Sequence, residues 1–261
     1  MKHTHSIKLS LVALAALILT SCGVQIQFES MVPAKTNLGR GTMIACEPDG
    51  NRAACKIAYA IANRINQDGY YTVGSYNNGG RMAFLEVMNA QTKTTRSGKY
   101  SYTDLSATIR ISDTHDRQLY RRSLETDVDE DQYGNLYLDD ACRDIAKAVM
   151  LDLTPHTVTY RESVSPDENN PSIELGANAC AAGNWAQGRE YAKQALATNP
   201  SSAEAYYLLG LIERHARNYA QSTAYFQKAY SLENNSKYQS GISKNAELQQ
   251  NEQYAKQQLR K

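Results

Sequence analysis

The 261-residue sequence lacks an excess of charge of either sign. It has 28 lysine and arginine residues against 27 aspartate and glutamate residues, which gives a formal net charge of +1. Proteins that bind nucleic acid normally carry a basic stripe that neutralises phosphates. The balance of charges therefore argues against a nucleic-acid partner.

The sequence is also poor in phenylalanine, with 3 residues against 18 tyrosines. Tyrosine combines an apolar ring with a polar hydroxyl, so it suits the half-exposed surfaces of sheets and helices. After residue 21, no segment is apolar enough to cross a membrane. About 240 residues remain there, a length that suits two domains of ordinary size.

Motifs of catalysis and metal binding are missing as well. The sequence has no Cys-x-x-Cys pair of the kind found in zinc sites, and no Gly-x-Ser-x-Gly motif of serine hydrolases. The histidines after residue 21 are His115, His156 and His215, and none is followed by a second ligand three or four positions later. We therefore expect neither an enzyme nor a bound cofactor.

One acidic stretch is the best candidate for a metal site. Asp129, Asp131, Gly134 and Asp140 fit positions one, three, six and twelve of a calcium-binding loop. However, Tyr133 occupies the fifth position, where an oxygen ligand is expected, and Asp140 is shorter than the usual final glutamate. The stretch is therefore predicted to be a solvated acidic turn. The alternative is a metal site formed by Asp129, Asp131 and Asp140.

The amino terminus resembles the signal sequence of a bacterial lipoprotein. Lys2 and Lys8 accompany an apolar core at residues 11–19 that is too short to span a bilayer. Residues 19–22 (Leu-Thr-Ser-Cys) are similar to the lipobox of that family. The resemblance implies that residues 1–21 are removed and that Cys22 carries acyl chains. By analogy, Gly23 after the cysteine favours the periplasmic face of the outer membrane. The alternative is an ordinary cleaved signal that leaves Cys22 as a spare thiol.

Four further cysteines follow, at Cys46, Cys55, Cys142 and Cys180. An oxidising compartment permits disulfides, and four cysteines allow three pairings. The short loop between Cys46 and Cys55 favours a disulfide between these two. The alternative is that all four are small buried residues, which is common for free cysteine.

The middle of the sequence predicts an α+β fold. Residues 22–36 are polar without a clear period and are predicted to be a tether. Residues 37–160 predict a small sheet packed with two helices, because helical spacing of apolar residues at 54–65 and 138–149 brackets several strand patterns. The order of strand, helix, strand, strand, hairpin and helix resembles the periplasmic domain of the curli-secretion channel lipoprotein. It also resembles the lipoprotein activators of penicillin-binding proteins.

The last third of the sequence repeats itself at an offset of 34 residues. Leu175-Gly176 recurs as Leu209-Gly210, and residues 184–187 (Asn-Trp-Ala-Gln) recur as residues 218–221 (Asn-Tyr-Ala-Gln). This period and these residues resemble the tetratricopeptide repeat, a pair of antiparallel helices. The resemblance implies an all-α domain over residues 172–261, with two repeats and a capping helix, after a polar linker at residues 161–171.

The same resemblance implies a groove that binds a partner. In this family the first helix of each repeat lines the concave side, which places five residues of the second repeat there: Glu204, Tyr207, Leu211, Arg214 and His215. Arg214 would suit a peptide with an acidic or C-terminal carboxylate group. The alternative is that the last helix covers Tyr207 and Leu211, and that Arg214 and His215 are simply solvated.

Together these patterns favour a non-enzymatic lipoprotein that scaffolds or regulates a cell-envelope complex. Its expected partners are the membrane, through the lipid anchor, and an unidentified envelope protein or peptide. One alternative is a periplasmic hydrolase or metal-dependent binding protein that uses the acidic loop at residues 127–140. A third hypothesis is a structural subunit whose middle domain self-associates through an edge strand.

Overall fold

The computed structural model of the chain describes residues 23–48, 50–74, 80–97, 100–130 and 136–260. These residues form two compact units. We call one the sandwich unit, with residues 32–156 and the chain from residue 254 onwards. We call the other the repeat unit, with the described residues up to 31 and residues 157–253.

The order of elements confirms the predicted fold class, an α+β part followed by an all-helical part. The strands are β1 (Val24–Val32), β2 (Met43–Pro48), β3 (Thr72–Val73), β4 (Met82–Ser97), β5 (Tyr100–Asp113), β6 (Gln118–Val128) and β7 (His156–Val164). The helices are α1 (Arg52–Asp68), α2 (Leu138–Leu153), α3 (Ser172–Ala181), α4 (Trp185–Thr198), α5 (Ala203–His215), α6 (Tyr219–Leu232) and α7 (Ser236–Arg260). Within these described ranges, no helix has both the length and the apolar character of a membrane span.

The sandwich unit is built on a five-stranded sheet in the order β3-β2-β4-β5-β6. β2 pairs in parallel with β3 and β4, whereas β4, β5 and β6 are antiparallel neighbours. Apolar residues alternate along β5: Leu105, Ala107, Ile109 and Ile111 are buried in one core with α1 and α2. Both helices therefore cover the same face of the sheet.

The ends of α1 follow from its sequence. The side chain of Asn51 accepts a hydrogen bond from the backbone N–H of Ala54 at 2.8 Å, which caps the first turn. Gly69 ends the helix with a left-handed backbone, φ 64°, and donates its N–H to the carbonyl of Ile65. The helix predicted from the apolar spacing at residues 54–65 is confirmed.

The predicted tether is wrong over most of its length. Residues 24–32 form β1, which pairs with β7 in a two-stranded ribbon. Ile26, Phe28 and Ser30 are buried, and the polar residues between them are exposed. The period of two was therefore present in the sequence, but glutamines and a glutamate on the exposed side made the stretch look uniformly polar. The predicted linker at residues 161–171 likewise begins inside β7, which extends to Val164.

The repeat unit contains two helix hairpins, α3–α4 and α5–α6, in the predicted 34-residue register. α4 begins at Trp185 and α6 begins at Tyr219, and Ala195 and Ala229 are fully buried at equivalent positions. Leu209 is 3% exposed, whereas Leu175 is 50% exposed. The difference arises because α3 begins the stack, and no described helix of the unit precedes it to cover Leu175.

The predicted capping segment is one helix, α7, of 25 residues. Its residues up to 253 belong to the repeat unit, where Tyr238 and Leu248 are buried. Residues from 254 onwards belong to the sandwich unit, where Leu259 packs against the core. The last turns of α7 therefore take part in the packing of the sandwich unit.

Candidate functional site on the concave face of the repeats

The two helix hairpins have the same turn, which sets how each first helix leads into its second. Gly183 and Arg217 lie 34 residues apart, and both have left-handed backbones, with φ of 82° and 65°. After each of them, the N–H of Asn184 or Asn218 bonds back to the first helix, at Ala179 and Glu213. The turns thus place α3 and α5 on the same side of the unit.

The close crossing of the helices depends on glycine at the predicted positions. A Cβ atom at Gly210 would lie 2.4 Å from Cε1 of Phe226, and one at Gly176 would lie 2.8 Å from a methyl group of Leu208. Carbon atoms that are not bonded to each other do not approach this closely, so a Cβ at either position would force a neighbour to shift, and glycine lets the helices stay this close.

The predicted binding groove is not open in the structure. Tyr207, Leu211 and Arg214 are almost completely buried. Tyr207 and Leu211 share a core cluster with Ile26 of β1, Val164 of β7 and Tyr238 of α7. The concave face is thus filled by the β1–β7 ribbon together with α7. α7 covers this face, in agreement with the alternative that the last helix covers Tyr207 and Leu211. The contribution of the ribbon was not predicted.

Arg214 lies at the centre of this filled groove, with 0% exposure. Its guanidinium donates to Glu162 on β7, to the side chain of Asn245 and to the carbonyl of Gly241, each at 2.7 Å. The guanidinium carbon also lies 4.7 Å from the ring centroid of Phe226. Each of the three guanidinium nitrogens thus donates to a partner within the chain, and such pairing is what a buried cation requires.

Glu162 connects Arg214 to the neighbouring Tyr207. One carboxylate oxygen accepts from Arg214, and the other accepts from the hydroxyl of Tyr207 at 3.0 Å. Burial lowers the pKa of Arg214, while the adjacent Glu162 raises it. Burial raises the pKa of Tyr207, and the carboxylate of Glu162 raises it further. The tyrosine therefore stays protonated and acts as a hydrogen-bond donor to Glu162.

Glu204 is held in a second cluster at the other end of α5. Its carboxylate accepts from the backbone N–H of Ser165, from Lys237 and from the hydroxyl of Tyr238. Burial raises the pKa of Tyr238, and the charge of Glu204 raises it further. Both partners from α7 lie close to the start of that helix, so Glu204 helps to fix where α7 begins.

His215 alone among the five predicted groove residues is exposed. Its ring stacks on that of Trp185, with centroids 3.8 Å apart and planes tilted by 8°. Burial of one side lowers the pKa of His215, and the nearby Arg217 lowers it further. The pair forms a half-exposed aromatic rim where α3–α4 and α5–α6 turn.

The residues that sequence reasoning missed are Glu162, Asn245 and Phe28. Glu162 lies in the stretch that was predicted to be a linker, and Asn245 lies in a helix rich in polar residues. A buried arginine needs an anion, and the alternation of Tyr160, Glu162 and Val164 was the signal that could have placed one opposite Arg214.

The predicted disulfide is absent, since Cys46 and Cys55 are both free thiols. Cys46 points from β2 towards the core, whereas Cys55 lies on the exposed face of α1, opposite its buried stripe. Burial raises the pKa of Cys46 to about 11, so its thiol stays protonated and unreactive. Cys22, the predicted lipidation site, lies outside the described residues, as does the signal sequence.

The residues of the possible metal site are not brought together in the part of the chain that the structure describes. Asp140 forms an ion pair with Arg143, and Asp129 accepts a backbone hydrogen bond from Tyr137 at 2.8 Å. Asp131 lies outside the described residues. Across the described ranges, no group of three histidine, cysteine, aspartate or glutamate residues could hold a metal ion.

Solved structures with similar folds cover the chain in part. They include a hypothetical protein from Chlamydia trachomatis (8% identity, 42% of this chain and 94% of that one, TM-score 0.32). PelC from Paraburkholderia phytofirmans, solved as a dodecamer, shares 12% identity over 49% of this chain and 98% of its own, with a TM-score of 0.31. The lipoprotein GNA1162 from Neisseria meningitidis shares 14% identity over 42% and 95%, with a TM-score of 0.27. At these TM-scores the similarities carry no weight for function.

No curated protein matches the sequence significantly. The family model of the tetratricopeptide repeat matches residues 174–238. This range runs from α3 to the start of α7 and includes both glycine crossings and both left-handed turns. The all-helical part of the chain therefore has the tetratricopeptide-repeat fold, a non-catalytic fold that binds other proteins.

Proposed function

We propose that this protein is a lipid-anchored scaffold or regulator of a cell-envelope complex, held at the periplasmic face of the outer membrane. The observation that carries the proposal is the repeat fold at residues 174–238, because this fold presents helices to protein partners. The sequence at residues 19–22 supports the anchor. β1 begins at Val24, so an anchor at Cys22 would attach almost directly to the ribbon of the repeat unit.

The partner binds the rim of the repeats, because the chain itself fills their concave face. The stacked pair of Trp185 and His215 lies on this rim and remains partly exposed. Tryptophan is enriched among the residues that contribute most to protein interfaces, since its large ring loses water on binding. A neutral His215, with its lowered pKa, would lose little hydration when it is covered.

Photo-crosslinking in the native envelope tests partner binding. A photoreactive residue replaces His215 in one variant and Ser201 in the matched control. Both positions are exposed and flank α5, so they lie roughly 20 Å apart along its axis. We expect one envelope protein to be crosslinked at position 215 and not at position 201, as identified by mass spectrometry. Recovery of no protein neighbour at either position from a folded chain would overturn the proposal.

The anchor is tested separately with two cysteine variants. Cys22→Ser should abolish incorporation of labelled palmitate and move the chain from the membrane fraction to the soluble or unprocessed fraction. Cys55→Ser changes an exposed free thiol and should leave both readouts unchanged. Unchanged palmitate labelling in the Cys22 variant would show that the anchor is wrong, whatever the crosslinking shows.

A further inference from the structure

The outer surfaces of α1 and α2 enclose a groove of about 870 Å³ in the sandwich unit. We call it the α1–α2 groove. Its floor contains the small side chains of Ala60, Cys142 and Ala146, which let the helices run side by side without filling the space above them. The opposite faces of both helices are buried against the sheet. The groove therefore faces away from the core.

Long side chains form the two walls of the groove. On α1 they come from a stripe of residues three or four positions apart, beginning with Arg52, Lys56 and Tyr59. On α2 they include Asp139, Arg143 and Lys147, each four positions from the last. The stripe on α1 runs from residue 52 to residue 67, so the groove is roughly 22 Å long.

The walls of the groove are cationic. They carry five cations against two anions, a formal net charge of +3, although the whole chain has a net charge of only +1. Lys56 pairs with Asp139, Arg64 with Asp68, and Arg143 with Asp140. Arg52 and Lys147 form no ion pair with any residue that the structure describes, and both are exposed. Two cations, one on each wall, thus remain available to an anion.

An exposed aromatic side chain lies between these cations. Tyr59 is 70% exposed in the middle of α1, although its ring would be favourable to bury. Together with the small apolar floor, it gives the groove an apolar centre with charges at the rim. This arrangement of an aromatic anchor within a polar rim is typical of protein interfaces.

We propose that the α1–α2 groove binds an acidic amphipathic helix of a partner protein. A helix about 10 Å wide fits between two neighbouring helices, with its apolar face on Tyr59 and the floor. Its acidic residues then meet the cations of both walls, among them Arg52 and Lys147, which form no ion pair with the described residues. The site is separate from the repeats, so it extends the proposed scaffold function with a second surface.

Two other anionic occupants fit the groove less well. A small anion would require several donors that converge on one buried point, whereas the cations here are spread along an open trough. A membrane presents a flat surface, and a trough with Tyr59 set among long side chains cannot lie flush on it. An extended acidic helix uses both the length and the depth of the groove.

Fluorescence anisotropy with synthetic peptides tests the proposal on residues 23–261, which contain both described units. The probe is a fluorescein-labelled helical peptide of about 18 residues, with leucine on one face and glutamate on the other. The control peptide has lysine in place of every glutamate. We expect saturable binding of the glutamate peptide alone, weakened as the ionic strength rises from about 0.05 M to about 0.5 M.

Charge-reversed variants locate the binding surface. Arg52→Glu combined with Lys147→Glu should weaken binding about tenfold or more. The matched control, Lys93→Glu with Arg96→Glu, makes the same charge change at exposed positions of β4 and should leave binding unchanged. Tyr59→Ser should weaken binding while the circular dichroism spectrum is retained.

Several outcomes would overturn the proposal. These are no binding of the glutamate peptide, equal binding of the lysine peptide, or equal weakening by the two pairs of charge reversals. Binding to vesicles containing about 30% phosphatidylglycerol that depends on Arg52 and Lys147, without peptide binding, would identify the groove as a membrane contact instead. The crosslinking at His215 does not depend on this groove, so each proposal can fail alone.

Discussion

Arg217 shows how the backbone can demand glycine where the sequence has another residue. It lies at the position of Gly183 in the preceding repeat, and both have a left-handed backbone. Its guanidinium bonds to the hydroxyl of Tyr219 and pairs with Glu252. These contacts offset the cost of the strained backbone, which for a residue with a Cβ is about 1 kcal/mol.

Two substitutions at Arg217 separate the backbone from the side chain. Arg217→Gly and Arg217→Ala both remove the guanidinium, but only the glycine variant relieves the left-handed strain. We expect the free energy of unfolding to be about 1 kcal/mol higher for the glycine variant than for the alanine variant. Urea titrations of both variants measure this difference. As a control, Gly183→Ala should cost a similar amount, because a Cβ there meets no atom within 4 Å. Equal stability of the two Arg217 variants would contradict this account.

Asp152 makes the stability of the sandwich unit depend on pH. Its buried carboxylate pairs with Lys35 at 2.7 Å and Arg122 at 2.6 Å, and it accepts from the hydroxyl of Tyr120. Burial alone would raise the pKa of Asp152, but the hydrogen bonds from Lys35, Arg122 and Tyr120 outweigh it and hold the pKa below its usual value. The ionised carboxylate is therefore the form that stabilises the fold.

The expected pH dependence follows from the lowered pKa. The contribution of Asp152 is complete above the ordinary aspartate pKa of about 4 and is lost as the pH falls through the lower folded value. Asp152→Asn should therefore lower the free energy of unfolding by about 1–3 kcal/mol at neutral pH, and by less below about pH 4. Thermal melts between these pH values measure the difference. The exposed Asp144→Asn is the control, and a difference for Asp152→Asn that stays constant with pH would refute the prediction.

At the scale of elements, the crossing of α5 and α6 depends on Gly210 and Phe226. Gly210→Ala would place a Cβ 2.4 Å from the fully buried ring of Phe226, which cannot move aside without displacing its neighbours. We expect a loss of about 1–3 kcal/mol of unfolding free energy, as in other overpacked cores. Gly176→Ala should cost less, because the shortest contact of its Cβ, at 2.8 Å, is with the end of the flexible Leu208 side chain, and its next contacts lie at 3.2 Å.

A double variant checks that the ring is the cause. Phe226→Leu alone should be destabilising, because it removes buried ring atoms. In combination with Gly210→Ala, the cost should be smaller than the sum of the two single costs, because leucine leaves room for the new Cβ. Additive costs in urea titrations would show that the glycine matters for another reason.

The elements that the sequence predicted well have a strong local signal. The stripe from Ala54 to Ile65, with the stop at Gly69, could be placed because the helical period and the left-handed cap are both local. The recurrence of the same residues at an offset of 34 positions likewise allowed the repeat helices to be placed. β1 was missed because the polar residues on its exposed side hid the period of two, and because its buried residues have no partner nearby in sequence. Ile26 and Phe28 pack against elements more than a hundred residues away.

The contacts of Arg214 on the concave face of the repeats could not be predicted from the local sequence. The position of Arg214 on the concave side was predictable from the register of the repeat, but the residues that contact it there were not. Glu162 and Asn245 are separated from it by 52 and 31 residues. In sequence they are an ordinary acid and an ordinary amide. Only the tertiary fold turns them into the partners of a buried guanidinium.

At the scale of the whole molecule, the chain returns at its end to a unit that it had left at residue 156. The side-chain amide of Gln258 donates to the carbonyl of Ala34 at 3.1 Å and accepts from its N–H at 2.8 Å. The carbonyl of Gln258 accepts from the hydroxyl of Tyr70 at 2.9 Å. Leu259 adds apolar contact with the core, so the last turns of α7 are a structural part of the sandwich unit.

Removing the chain after Gln253 should therefore destabilise a unit whose other residues end a hundred positions earlier. The loss of these hydrogen bonds and of the contact of Leu259 should lower the free energy of unfolding of the sandwich unit by about 2–4 kcal/mol. Hydrogen exchange measured by mass spectrometry should become faster around Ala34 and Tyr70. Gln258→Ala should reproduce part of the effect, whereas the exposed neighbour Gln257→Ala should have none. If hydrogen exchange around Ala34 and Tyr70 were unchanged after truncation, the end of α7 would not stabilise the sandwich unit, because removal of a stabilising segment must speed exchange in the residues that it contacts.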